Sequence, residues 1–537
     1  MRRRAFLLGA SAAAAGLGAA WRGSVREVTP AVSYPGMREG HGLRDGAALP
    51  APSGERRVGV AILGAGVGGL SCAWRLARAG FHDFVVVQGP EFGGNASGGG
   101  SGELAYPRGA HYLPLPSLAS AHVREMLAEF GVILDGAQDA RPYYDESVIV
   151  HGLDERLMRD GHWDAALVPH AATPAEQAQH DAFFRYVDGL HGAQGADARK
   201  VFSIPLELSS RDPRWLALDR VTFRQWLLQQ GYTSPGLHWY LNYCCRDDYG
   251  ASYERVSAWA GLHYFCARDG HADNAPDGAV MTWPDGLAPL VRKLRDSITR
   301  RLGHADWLAP GFALRVDDRA GDALRVLVGR PSGAAGTLRA QRAVCAMPLF
   351  VASRLLDLSR HGFEPHHQPE HAAWMVSNFS LSGYPAEAAG APLAWDNVVY
   401  EGAALGYVVS THQLLRVAPS PRTVFTAYEA LSHLSPVAAR QWLAAASPEE
   451  LRERAAADLL VAYGHQFWRH ATALDITVRG HAMATPTPGF LSNAGLAALR
   501  EADGRVLFAH ADLSGYSVFE EASWWGVRAA ARLLGEA

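Results

Sequence analysis

The sequence predicts an α/β protein with a second domain that is rich in helix and of mixed α+β structure. Residues 58–95 alternate a strand, a glycine turn, a helix and a strand, judged by the spacing of their apolar residues. Residues 132–273 are helical in pattern and rich in aromatic side chains, and strand-like runs return after residue 312. This alternation predicts two domains built from separate pieces, one from residues 57–120, 275–350 and 490–537, the other from residues 121–274 and 351–489.

The first unit is organised around a G-x-G-x-x-G turn that lies between two strand-like runs. Gly64 permits the turn, and Gly69 lets the helix pack close to the strand. Gly66 and Gly68 have no side chain, so a pyrophosphate can approach the backbone there. The N-terminus of the following helix offers free N–H groups and a partial positive charge to phosphates. The unit therefore predicts a Rossmann-like dinucleotide-binding domain.

The second strand of this unit, Phe84 to Val87, departs from the usual pattern at its end. An acidic residue commonly follows there and accepts hydrogen bonds from ribose hydroxyls, whereas this chain has Gln88. The amide oxygen of Gln88 is able to accept one such bond. The choice among FAD, NAD and NADP stays open at this point.

Composition limits the classes of function. The chain has 537 residues, of which 48% are hydrophobic and 19% charged, so it is long enough for two or three ordinary globular domains. A net charge of −4 argues against a role in binding nucleic acid or anionic membranes. The five cysteines include no C-x-x-C, and the histidines are scattered, so no metal site is predicted. The adjacent Cys244 and Cys245 are interpreted as packing residues rather than a redox pair.

The amino terminus resembles an export signal. Arg3-Arg4-Ala5-Phe6-Leu7-Leu8 matches a twin-arginine motif, and residues 5–20 are too short and too weakly apolar to cross a bilayer of about 30 Å. Residues 1–20 are thus predicted to be a signal peptide, with an uncleaved tether as the alternative. The twin-arginine machinery exports folded proteins, which predicts a periplasmic or secreted protein with no stable membrane span. Residues 21–56, rich in Gly and Pro, are interpreted as a linker or a surface arm.

Five separated stretches resemble flavin-containing amine oxidases and the related protoporphyrinogen oxidases and carotenoid desaturases. Besides the glycine turn with Gly93-Gly94-Asn95, they are Gly109-Ala110-His111-Tyr112, residues 283–287 with 314–316, residues 343–348, and residues 504–522. Asn95 stands where the family has an arginine. The resemblance covers the dinucleotide half well and the helical half thinly.

The resemblance implies FAD as the cofactor. It assigns Gly93, Gly94 and Asn95 to the phosphate side, and Gly109 and Ala110 to the edge of the flavin ring. Three further contacts are implied by the last motifs: Val316 to the adenine through its backbone, Asp512 to a ribityl or ribose hydroxyl, and Ala522 at the start of a helix from Phe519 to Leu534. No cysteine follows Ala346, so FAD is expected to bind without a covalent bond.

The predicted function is that of a FAD-dependent oxidoreductase that oxidises a small amine by hydride transfer to the flavin N5. His111, Tyr112, His481 and Tyr516 are the candidates for facing substrate or flavin. The histidines are as well explained by hydrogen bonds to backbone carbonyls, and the tyrosines by packing or by forming a wall of the flavin site. The alternatives are a desaturase or isomerase of a hydrophobic polyene, and an exported flavoprotein that carries electrons without a small substrate of its own.

Overall fold

A computed structural model of the protein describes residues 28–319, 321–414, 416–418 and 420–536. The twin-arginine motif and the predicted signal peptide lie outside the described residues. Within these residues, no helix has the length and apolar character that crossing a membrane requires.

The strands follow in chain order: β1 (Ala31–Ser33), β2 (Pro52–Leu63), β3 (Phe84–Val87), β4 (Gly98–Gly99), β5 (Tyr106–Pro107), β6 (Tyr112–Pro114), β7 (Ile133–Asp135), β8 (Tyr143–Tyr144), β9 (Glu155–Arg159), β10 (His162–Asp164), β11 (Val280–Thr282), β12 (Leu308–Ala309), β13 (Phe312–Asp317), β14 (Leu324–Gly329), β15 (Ala335–Cys345), β16 (His371–Ser382), β17 (Asp396–Val399), β18 (Tyr407–Val409), β19 (Arg422–Glu429), β20 (Ala471–Ala484) and β21 (Val506–Phe508).

The α-helices are α1 (Met37–Arg44), α2 (Val67–Arg78), α3 (Ala121–Glu129), α4 (Pro174–Asp188), α5 (Pro213–Leu216), α6 (Phe223–Gln229), α7 (Pro235–Tyr249), α8 (Ala258–Cys266), α9 (Ala288–Leu302), α10 (Leu349–Leu355), α11 (Pro436–Ala445), α12 (Pro448–Ala455), α13 (Ala457–Tyr463), α14 (Ala494–Arg500) and α15 (Phe519–Leu534).

The first sheet has the strand order β12-β3-β2-β15-β14-β13, with β21 beside β15. Strands β3, β2, β15 and β21 run parallel, so Val87, Leu63 and Cys345 end at the same edge. Strands β13 and β14 form an antiparallel extension on β15. The glycine turn leaves β2 at the carboxyl edge, where open α/β sheets bind their ligands.

The second sheet has the strand order β1-β20-β16-β19-β18-β17-β9-β10 and is mainly antiparallel. Its strands after β1 all come from residues 121–274 and 351–489, whereas the first sheet is built from the other three pieces and the end of the predicted linker. This distribution supports the predicted division into two domains, which stays a prediction.

Residues 28–56, interpreted from the sequence as a linker or a surface arm, contain regular elements. Strand β1 pairs in parallel with β20, placing Ala31 opposite Asp475, and helix α1 follows it. Strand β2 begins at Pro52, six residues before the apolar run that signals it in the sequence. Residues 52–57 are exposed and lack an apolar pattern, so only their pairing with β15 reveals them as strand.

Candidate functional site

The glycine turn is packed tightly on one side and open on the other. Gly64 has φ +119°, and a Cβ there would lie 2.5 Å from the carbonyl oxygen of Ala346. A Cβ on Gly68 or Gly69 would clash with the backbone oxygens of Ala509 and Gly64, respectively. At Gly66, by contrast, a Cβ would meet nothing within 4 Å, and no side chain caps helix α2. The turn therefore leaves an open cradle over free helix N–H groups, which fits a pyrophosphate.

The second glycine pair lies directly against this cradle. Gly93 forms a bridge with Gly66, and a Cβ on Gly94 would lie 3.6 Å from the Cα of Gly66. The exposed side chain of Asn95 donates a hydrogen bond from Nδ2 to the carbonyl oxygen of Ala482 on β20. Asn95 thus ties the cradle to the second sheet.

Residues 309–311 lie beside the end of β3. Gln88 donates its backbone N–H to the carbonyl oxygen of Ala309 at 3.0 Å, and Gly89 donates to Gly311 at 2.8 Å. Val316 lies further along β13, where it pairs with Val326 and is buried in the apolar core. Val316 thus lies away from the end of β3, and its implied contact with the adenine stays a prediction. In the sequence, Pro310 and Gly311 are the signal for the end of the short strand that lies beside β3.

The loop Gly109 to Tyr112 joins the cradle to the second sheet. Ala110 donates its N–H to the carbonyl oxygen of Asn95 at 2.7 Å, and the hydroxyl of Tyr428 donates to the carbonyl oxygen of Gly109 at 3.0 Å. The residues from Gly109 to Tyr112 are all half-buried, although His111 and Tyr112 lie deep in the protein. We therefore infer that they border a cavity beneath the surface.

Aromatic rings form one wall of this cavity. The ring of His111 stacks on Tyr428 with centroids 4.4 Å apart, and it lies 4.9 Å from Tyr112 and 5.6 Å from Trp395. Burial lowers the pKa of His111 to about 3, so the imidazole is neutral at neutral pH. The structure thus brings His111 and Tyr112 together. Trp395 and Tyr428 come from distant segments, and no local signal in the sequence points to them.

Carboxyl groups also face the cavity. The hydroxyl of Tyr112 donates to Oδ2 of Asp247, on helix α7, over 3.5 Å. Burial, together with the charge of Asp248, raises the pKa of Asp247 to about 7. Asp396 on β17 receives a hydrogen bond from Tyr243, and burial, Asp247 and Glu155 hold its pKa well above the usual range.

Tyr516 is not placed at the cavity. Its side chain is 1% exposed, its hydroxyl donates to Oε1 of Glu521 at 2.7 Å, and its ring lies against Tyr249 and His263. The predicted role of Tyr516 at substrate or flavin is therefore corrected to packing in the helical core.

Asp512 is also turned away from the cavity, with 0% exposure. Oδ2 accepts the N–H of Leu349, the first residue of α10, at 2.8 Å, and Oδ1 lies 3.1 Å from Nε2 of His371. Burial alone would raise its pKa, but His371 and His510 more than offset this and hold it well below the usual range. Both oxygens are thus engaged within the protein, and the predicted bond to a cofactor hydroxyl gives way to a capping role.

His481 and Ala522 lie nearer the cradle than the aromatic wall. The ring of His481 stacks on Phe350 at 4.3 Å, and burial, then Arg440, lower its pKa to about 3. It precedes Ala482, the acceptor of the Asn95 bond. Ala522 is half-buried in the first turn of α15, and a Cβ on Gly68 would lie 3.2 Å from its carbonyl oxygen. His481 is therefore a neighbour of the cradle rather than of His111.

Across the described ranges, no group of three or more His, Cys, Asp or Glu side chains is arranged to hold a metal ion. The five cysteines are buried and form no disulfide.

The fold and the cradle are those of a dinucleotide-binding domain. A family model described as an NAD(P)-binding Rossmann-like domain matches residues 62–130. No curated protein sequence matches the chain.

Solved structures then extend the likeness to nearly the whole chain. Putrescine oxidase bound to putrescine is 15% identical, with a TM-score of 0.62 over 90% of this chain and 100% of that one. Cyclohexylamine oxidase from Brevibacterium oxydans IH-35A is 18% identical, with a TM-score of 0.60 over 89% and 99%. A CLA-producing fatty acid isomerase from P. acnes is 17% identical, with a TM-score of 0.59 over 88% and 98%. The chain has the fold of these enzymes, which confirms the predicted fold class.

Proposed function

We propose that this protein is a FAD-dependent oxidoreductase that oxidises a small amine. The observation that carries the proposal is the hydrogen bond between Ala110 and Asn95, which joins the open cradle at Gly66 to the cavity beside His111. A dinucleotide whose phosphates lie in the cradle would reach the cavity with its far end. Two of the enzymes with this fold are amine oxidases.

The residues fit a bound FAD in the following way. The N-terminus of α2 and Gly66 hold the pyrophosphate, Gln88 and residues 309–311 border the adenosine, and Gly109 and Ala110 border the ring. Bound FAD supplies the acceptor for the two electrons and the hydrogen that leave the substrate carbon. Attachment is non-covalent, because no cysteine follows Cys345 in the part of the chain where the resembling amine oxidases attach FAD.

The cavity suits an amine better than a fatty acid or a polyene. Neutral His111 and the rings of Tyr112, Trp395 and Tyr428 exclude water and surround the reacting carbon. The carboxyl groups of Asp247 and Asp396 are able to accept hydrogen bonds from an amine, and they interrupt the apolar tunnel that a polyene requires. An electron carrier without a substrate of its own does not need an aromatic wall of this kind beside the flavin.

The test is anaerobic reduction of the bound flavin by a panel of primary amines, followed as loss of the oxidised flavin absorbance. Reduction by one or more amines, and none by an unsaturated fatty acid, is expected. A protein that purifies without flavin and takes up none on addition would overturn the proposal.

We further propose that the protein is exported in the folded state by the twin-arginine machinery to the periplasm or beyond. Arg3 and Arg4 support this, and a flavin loaded before export suits that route. Replacing both arginines by lysine is expected to retain the protein in the cytoplasm, measured by cell fractionation.

A further inference from the structure

A second cavity lies beside the loop that carries His111. Its volume is about 320 Å³, at the lower end of the range for small-molecule sites, and helix α9, the end of β11 and the turn after β8 contribute to its lining. Thr282 lines it and donates a hydrogen bond from Oγ1 to the carbonyl oxygen of His111 at 2.6 Å. None of the four rings of the aromatic wall lines this second cavity. It is therefore distinct from the cavity of the proposed reaction.

The second cavity contains a buried amide without a partner. Gln413, on the segment between β18 and β19, is 9% exposed and lines the cavity. Neither its Oε1 nor its Nε2 has a hydrogen-bond partner among the described residues. Burying an unpaired amide costs free energy, and a bound molecule that supplies one donor and one acceptor removes this cost. Gln413 therefore indicates a ligand that carries a hydrogen-bond donor close to an acceptor.

Opposite charges also line the second cavity. Lys293 on α9 is exposed, and its Nζ donates to the carbonyl oxygen of Phe130 at 3.0 Å. Asp145 is half-buried, and its Oδ1 accepts the N–H of Ser147 at 3.0 Å. Both side chains line the cavity, and they do not form an ion pair with each other. An ammonium and a carboxylate at one small cavity suit a zwitterion, because each charge of the ligand then meets the opposite charge of the protein.

The rest of the lining is mainly apolar. Val132 and Val148 are buried, and Trp283 and Leu414 are half-buried. These side chains offer a surface on which an aliphatic group is removed from water. The ligand that the lining fits is thus small, zwitterionic and apolar at one end.

We propose that the second cavity binds a free α-amino acid with an apolar side chain. The carboxylate of the amino acid accepts hydrogen bonds from Lys293 and from Nε2 of Gln413. Its ammonium group donates to Asp145 and to Oε1 of Gln413. Its side chain packs against the apolar part of the lining. The site uses no residue of the cradle or of the aromatic wall, so the inference is independent of the proposed function.

Equilibrium dialysis of labelled L-leucine against the purified, flavin-loaded protein under anaerobic conditions tests the inference. Competition with 4-methylpentanoate and 3-methylbutylamine, which keep the carbon skeleton and lack one charged group each, gives their affinities. Leucine is expected to bind about 10- to 100-fold more tightly than either analogue, as one charge-assisted hydrogen bond implies. In Gln413→Leu, leucine should bind at least about 10-fold more weakly than in the wild type. Gln230→Leu, on the surface at the end of α6, is the matched control and should bind leucine as the wild type does.

Three results would overturn the inference: no binding of leucine, equal binding of leucine to the wild type and to Gln413→Leu, or equal affinities for leucine and 4-methylpentanoate. Displacement of leucine by butylamine, at the concentration that reduces the flavin, would place leucine in the cavity beside His111 and would also overturn it. None of these results bears on amine oxidation, which flavin reduction in the same preparation measures. Removal of an unpaired amide should not unfold the protein, and circular dichroism of Gln413→Leu verifies this. Asp145→Asn and Lys293→Met give a second check, because each should reduce the advantage of leucine over the analogue that lacks the matching charge.

Discussion

Replacement of Gly66 by valine tests the cradle. Gly66 has φ −79° and ψ −177°, which any residue adopts, and a Cβ there meets no atom within 4 Å. Because Gly66 is the N-cap of α2, where valine is less favourable than glycine, the substitution should lower the free energy of unfolding of the apo-protein by about 1 kcal/mol at most. The new methyl groups occupy the space that the pyrophosphate requires.

The expected loss of affinity follows from the bonds that the cradle offers. Two charge-assisted hydrogen bonds from helix N–H groups are worth about 1.5–3 kcal/mol each, so losing both raises the Kd for FAD by about 10²- to 10⁴-fold. Flavin fluorescence quenching measures the affinity, and thermal denaturation of the apo-protein measures the fold. Gly504→Val is the matched control, because Gly504 also has open space around it but lies on an exposed loop far along the chain. Unchanged FAD affinity in Gly66→Val would refute the placement of the phosphates.

Three further outcomes are expected. Acid precipitation should release the yellow chromophore into the supernatant, whereas retention in the pellet would contradict non-covalent binding. Asp512→Ala removes one partner of a buried pair, so urea denaturation should show a loss of about 3–5 kcal/mol with FAD affinity little changed. If the affinity for FAD falls steeply and the free energy of unfolding is unchanged, Asp512 does not have the capping role. The raised folded pKa of Asp247 means that the folded state binds more protons than the unfolded chain between about pH 4 and 7. Relative to Asp247→Asn, the wild-type apo-protein should therefore lose free energy of unfolding as the pH rises through this window, and equal pH profiles of the two proteins would count against the shift. The depressed pKa of Asp512 has the opposite effect on stability. Below about pH 4, the free energy of unfolding that its ionised carboxylate contributes is lost as the pH falls.

Local patterns predicted the elements whose shape depends on near neighbours in sequence. The glycine turn, strand β3 and helix α15 lie where the sequence places them, because turn chemistry and helical spacing act over a few residues. Asp512 shows the limit of this approach. Its position after β21 is the predicted one, but its partners, His371 and Leu349, come from segments more than 140 residues away.

The cavity was predicted only in part for the same reason. His111 and Tyr112 belong to a motif that can be read locally, whereas Trp395, Tyr428 and Asp396 reach the site through the pairing of the second sheet. The register of these strands is fixed by tertiary packing, and their composition is that of any buried strand. Tyr516 was misplaced because its motif does not specify on which side of the loop the ring lies.

The pairing of β1 with β20 has a consequence for the order in which the molecule is completed. Ala31 to Ser33 pair with residues 475–477, so β1, the first strand of the described residues, finds its partner only after more than 440 further residues have been synthesised. Until then β20 is an edge strand with unpaired N–H and C=O groups, the kind of surface that invites association with other chains. Residues 31–33 thus cover the edge of the finished sheet, and a chain that lacks them is expected to fold but to associate with other chains along β20.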